Sequence, residues 1–194
     1  MRQIQYIVVH CTAGSQRTTT VESLKNHWKR LGWQAPGYHY VVFPSGHTER
    51  MADDAKICNG VKGYNTVSVH IAYVGGIDSS GRPIDNRTEA QKAALYFLLE
   101  QLKARYPQAV IRGHRDFSPD LDGNGEISED EFIKHCLCFD AQKEYAGIIP
   151  HLLEVSQGKN TGGYVSGTIE NHEKRRNIPA FFIYLHSLSI NSQL

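Results

Sequence analysis

At 194 residues the chain is long enough for one full hydrophobic core and too short for two large domains. Its 40% hydrophobic and 21% charged residues are ordinary for a globular protein, and a formal net charge of +1 gives no bulk field for holding nucleic acid. The one local basic cluster, Glu173 to Arg176, is short, begins with an acid and reads as a solvated face. No apolar run approaches the ~20 residues of a membrane span. The opening "MRQIQYIVVHC" has too short an apolar part for a signal peptide and no cleavage site. The chain is therefore expected to be cytoplasmic as synthesised. Four cysteines (Cys11, Cys58, Cys136 and Cys138) do not make a secreted disulfide framework at this size, so free thiols or metal ligation are the better readings.

Taken in chain order, the β-branched run Ile4 to His10 predicts a buried strand ending at His10. Thr19 with Glu22 suggests a capping box for a helix whose Val21, Leu24, Trp28 and Leu31 recur at helical spacing, with Gly32 as its stop. Tyr38 to Phe43 predicts a second strand, turned by Pro44-Ser45-Gly46 into a short third one. Val67 to Gly76 predicts a further strand. Thr88 and Gln91 cap a long helix that stops before Pro107, and Ala109 to His114 forms the last clear strand. The expected fold is α/β: a single domain with a central mixed sheet flanked by helices, over residues 1–156. Residues 157–194, opening in the linker-like stretch Ser156 to Gly163, form an extension to which the sequence assigns no role.

His10 and His114 each close a strand, and strand ends on one edge of an α/β sheet are where such folds gather functional groups. A lone histidine is more often a hydrogen-bonded structural residue than a ligand. The thiols of "IKHCLCFD" change the balance, because two imidazoles and one thiolate suit zinc and leave a fourth tetrahedral position open. Trp28 and Trp33 read as core and groove wall, and Cys58 as a buried small hydrophobe. His39 and Asp116 are bland, the first on the opposite strand face from Tyr38, the second a partner behind a ligand.

The stretches "VVHCTAG", "GWQAPGYHYVVFPSGH", "KGYNTVSVHIAYVGGID", "RGHRDFSP" and "KHCLCFD" span most of Ile4 to Asp140. In these motifs and their order the chain resembles the zinc-dependent N-acetylmuramoyl-L-alanine amidases, the family of T-odd phage amidase-type lysozymes and peptidoglycan recognition proteins. The resemblance implies an α/β fold, one Zn2+, peptidoglycan as partner, and cleavage of the amide between muramic acid and L-alanine. It also implies His10, His114 and Cys136 as zinc ligands, with Tyr38 and Lys134 as the catalytic pair donating to the oxyanion of the tetrahedral intermediate. Zinc would acidify water and polarise the amide carbonyl. The family's ending "CPSFD" is "CLCFD" here, so Cys138 competes with Cys136; Cys136 is preferred because it keeps the lysine two residues upstream. Asn65 in "KGYNTVS" has two open readings, a polar substrate contact in the groove or part of a turn into the next strand. A monomer is expected, acting on the wall after release or export. The alternative is a peptidoglycan-binding module of the same fold that does not cut.

One stretch belongs to a different chemistry. "DLDGNGEISEDE" matches a calcium loop at Asp120, Asp122, Asn124, the turn glycine Gly125, Glu126 and Glu131. Ser118-Pro119 leaves no room for the usual entering helix, and the loop is single. A structural Ca2+ site and a solvated acidic insertion at 120–131 both remain open.

Overall fold

The computed structural model describes residues 2–133, 136, 138 to 140 and 141 to 149. Lys134 and the extension at 157–194 lie outside the described residues. Five strands form one mixed sheet in the order β3-β2-β4-β1-β5. They are β1 (Tyr6–Cys11), β2 (Tyr40–Val42), β3 (Thr48–Arg50), β4 (Ser68–Tyr73) and β5 (Val110–Gly113). The expected α/β fold is the observed one. β1 runs parallel to β4 and β5, β2 runs parallel to β4, and only β3 is antiparallel.

The central strand reads as a continuous apolar run because both its faces are covered: Ile7, Val8 and Val9 are fully buried. On one face, α2 (Glu89–Arg105) lays down Leu95, Leu98, Leu99 and Leu102 against Ile7, Val9, Val69 and Ile71. Such a leucine fully buried contributes roughly 1.5–3 kcal/mol relative to exposure. The Thr88–Gln91 capping box forms as expected, with Gln91 N donating to Thr88 Oγ1 at 3.0 Å and Thr88 N to Gln91 Oε1 at 3.1 Å. Gln91 also donates to the carbonyls of Val42 and Val74, which ties the helix start to the sheet.

On the other face, α1 (Val21–Arg30) packs Leu24 and Trp28 against Val41 and Val74. Its capping box is Thr20 with Ser23, one residue later than the expected Thr19 with Glu22. Three consecutive threonines offer three possible caps, and Ser23 Oγ is the group that accepts from the Thr20 N–H, at 2.8 Å. Gly32, at φ +74°, follows the helix in the left-handed conformation that a side chain would disfavour. A short helix α3 (Ala141–Glu144) buries Ala141 near the end of the described chain. No helix among the described residues is long and apolar enough to cross a membrane.

Candidate metal centre

Strand register explains why two histidines 104 positions apart meet. Val9 of β1 lies opposite Gly113 of β5, so the next residue of each chain segment, His10 and His114, emerges at the same sheet edge. Their Nδ1 atoms are 3.1 Å apart and their ring centroids 4.9 Å apart. A 3-10 turn, His114–Phe117, carries His114 away from β5, and buried Asp116 holds it by accepting the Gly113 N–H at 2.8 Å. Asp116 thus fixes the backbone that carries a candidate ligand.

Cys136 joins the pair from the far side of the acidic insertion. One donor atom each from His10, His114 and Cys136 lies within 4.8 Å of the other two. The Arg115 N–H donates to the Cys136 carbonyl at 3.0 Å, and the Cys11 N–H approaches the Cys136 sulfur at 3.4 Å. Contact with the Cys11 thiol, and then burial, keeps the Cys136 thiol well above its ordinary range, so a cation binding there has to displace a proton. Cys138 turns elsewhere, its sulfur 3.3 Å from the Gly76 carbonyl. The donor set therefore has the chemistry and spacing of a site for a borderline-soft ion such as zinc.

Tyr38 packs edge-on to Trp28 and against His10, with centroids 5.8 Å and 5.1 Å away. Its hydroxyl is 3.5 Å from the Cys11 carbonyl. Burial, then the electrostatic influence of Cys136 and Cys11, keeps it protonated far above the usual phenol range. A groove of about 540 Å³ runs up to His114, walled by Trp33, Lys62, Phe117 and Ile133. Asn65 lines the same groove, but its oxygen is turned inward, accepting the Val61 N–H at 2.8 Å. Cys58 is fully buried, and burial pushes its thiol up to about 12.

Two residues against the cluster escaped the sequence reading. Cys11 was only one thiol among four, yet its N–H and sulfur both meet Cys136. His70 in β4 is fully buried and reaches His10, Nδ1 to Nε2, at 3.2 Å. Burial first, and then His39, His114 and Arg2, pushes His70 down to about 3, so its ring is neutral. The available signal was strand alternation, which puts His70 on the face of Val8 and His10. His39, read as bland, is fully buried and accepts the His70 N–H at 2.9 Å.

Residues 1–126 match the N-acetylmuramoyl-L-alanine amidase family. The chain belongs to this family. The match ends inside the acidic insertion, so Cys136 enters the site through geometry rather than through that match. Among similar chains, an uncharacterised protein of Haemophilus influenzae is 54% identical over 80 residues, covering 41% of this chain and 69% of its own. The endolysin of Klebsiella phage KP32 is 38% identical over 119 residues, covering 61% and 79%. Among solved structures, the endolysin of the Thermus scotoductus bacteriophage Ph2119 matches with a TM-score of 0.57 and 28% identity, covering 75% of this chain and 84% of that one.

Proposed function

We propose that the chain hydrolyses the amide between N-acetylmuramic acid and L-alanine in peptidoglycan with a zinc ion held by His10, His114 and Cys136. The family supplies the reaction, and the observation that supports the zinc reading is the three-donor cluster of two imidazoles and one thiol, of which His114 lines the groove. Three protein donors is the number typical of catalytic zinc, whereas structural sites use four. Bound there, zinc would act as a Lewis acid on water and on the amide carbonyl.

The chain's own residues divide the remaining work. Tyr38 keeps its proton and so can donate to the oxyanion that develops as the amide is attacked. Lys134 is the proposed second donor. The Cys11 N–H favours the thiolate form of Cys136 once a cation has displaced its proton. The groove beside His114 would hold the glycan and stem peptide, with Asn65 on its wall. We assign this activity to residues 1–156, acting as a monomer on the wall after release or export, with 157–194 as an extension.

The test is zinc content together with product chemistry. Purified protein should carry near-stoichiometric zinc and release peptides with a new L-alanine amino terminus from peptidoglycan, and a zinc chelator should stop the release. Binding to peptidoglycan without a new amino terminus would mean a recognition module in place of an enzyme.

For the insertion, we propose a structural calcium site centred on Asp120, Asp122 and Glu131, with Asn124 and Glu126 completing it. Its support is that carboxylate oxygens of the first three lie within 4.8 Å of one another. Calorimetric titration with calcium tests it, and absence of a binding heat would leave an acidic spacer.

A further inference from the structure

His70 is a buried imidazole that touches His10 and that the ligand set above does not use. It sits in β4 opposite Val8, diagonal to His10 on the same face of the sheet. A chain of hydrogen bonds runs through it: His10 Nε2 to His70 Nδ1 at 3.2 Å, then His70 Nε2 to Asn65 Oδ1 at 3.1 Å.

The far end of that chain decides where each proton sits. A backbone N–H can only donate, and the Val61 N–H reaches the same Asn65 atom at 2.8 Å. The Asn65 atom facing His70 is therefore the carboxamide oxygen, which can only accept. His70 must donate to it from Nε2. In a neutral ring, Nδ1 then carries the lone pair, and it can accept only if His10 donates from Nε2. The lone pair of His10 is thereby assigned to Nδ1, the nitrogen 3.1 Å from His114 Nδ1.

Local packing holds His70 in this pose. Gly60 lies against the ring so closely that a Cβ there would stand 2.3 Å from His70 Nδ1. The His70 N–H donates to His39 Nδ1 at 2.9 Å, and the His39 ring stacks on His70 at a centroid distance of 5.8 Å. The other nitrogen of His39 lies 2.9 Å from the Lys56 carbonyl, to which it donates.

We propose that His70, backed by Asn65, is a positioning residue that locks His10 as its Nε2–H tautomer and aims Nδ1 at the metal. Metal-binding histidines commonly donate their second nitrogen to a carboxylate or carbonyl, and here a neutral imidazole takes that part without adding negative charge. The metal half of the inference rests on the zinc reading above, whereas the tautomer half does not.

Two measurements test it separately. In the metal-free protein, long-range 15N–1H correlations should show His10 protonated at Nε2 and His70 protonated at Nε2. His10 protonated at Nδ1 would overturn the relay whether or not zinc binds. Chelator competition should then show zinc bound on the order of 10–100-fold more weakly by His70→Leu, the usual size of such an effect. His70→Asn, whose amide oxygen can stand near the lost Nδ1, should recover most of the affinity. A folded His70→Leu that binds zinc as tightly as wild type contradicts the proposal, as does a folded His70→Asn as weak as His70→Leu. If neither variant folds, the wild-type tautomer decides. Wild-type protein with no zinc affinity would sink the zinc reading and leave the tautomer result to stand alone.

Discussion

Among the described residues two clusters carry metal-ligand chemistry, and they are built in opposite ways. His10, His114 and Cys136 come from three distant segments and meet only once β1 and β5 are in register. The acidic loop is a single stretch that satisfies itself. Glu131 accepts from the N–H groups of Leu121, Asp122 and Ser128 and from the Ser128 hydroxyl. Asp120 accepts from Gly123 and Gly125, both at positive φ, where a side chain would strain the turn. The first cluster concentrates donors at one edge of the sheet, where His114 lines the groove. The second already spends its carboxylates on backbone N–H groups, so an ion there would reinforce a structure that stands without it. Loss of an ion should therefore abolish function in the first case and loosen structure in the second.

The largest effect should come from the distant cluster. His10→Ala and His114→Ala should each lose zinc and become essentially inactive, far beyond the ~10–100-fold of a residue behind a ligand. Cys136→Ser should lose zinc while Cys138→Ser keeps it, as metal analysis would show; the reverse would move the ligand two residues along. Next in size are the proposed donors. Tyr38→Phe and Lys134→Ala should retain zinc and lose on the order of a hundredfold in turnover, measured on muramoyl peptide.

The contrast also explains what was legible in the sequence. The fold was legible because its signals are local: the β-branched run at Ile7–Val9, the Thr88–Gln91 box, the leucines of α2. The helix α1 start was displaced by one residue because Thr18, Thr19 and Thr20 are locally equivalent and only the side chain of Ser23 distinguishes them. The three-donor set was legible from strand-end histidines and from the resemblance. The layer behind it was not. Nothing near His70 in sequence reveals Gly60 against its ring or Asn65 at its far nitrogen, and nothing near Cys11 reveals the sulfur of Cys136. The Cys11 contact spans 125 positions, and those of His70 need the turn before β4 to fold back on the strand.

The acidic loop should give smaller effects. If calcium binds, a calcium-selective chelator should lower the melting temperature by several degrees, since an ion at ~100 times its Kd adds about 2.7 kcal/mol to the native state. Zinc content should not change and activity should fall only in part. Asp120→Ala combined with Glu131→Ala should mimic this. A collapse of activity as complete as that of His10→Ala would erase the distinction between the two clusters.

The smallest effect is the loop's response to acid. Backbone N–H groups, from Ser128 at Glu131 and from Gly125 at Asp120, hold both carboxyls below their ordinary values. A carboxyl lowered in the folded state stabilises above its unfolded pKa and loses that contribution as pH falls through the folded value. Hydrogen exchange of the Leu121, Gly123 and Gly125 amides, corrected for intrinsic pH dependence, should therefore lose protection below about pH 4. Protection that is flat with pH would mean that these bonds do not hold the loop.

In the proposed mechanism the distant cluster, and not the loop, holds the metal on which cleavage depends. X-ray absorption at the zinc edge of the active protein tests it most directly. One sulfur at about 2.3 Å is expected with nitrogen or oxygen neighbours at about 2.0–2.1 Å, and loss of the sulfur signal in Cys136→Ser. An all-oxygen shell, or full cleaving activity in protein that contains no zinc, would contradict it.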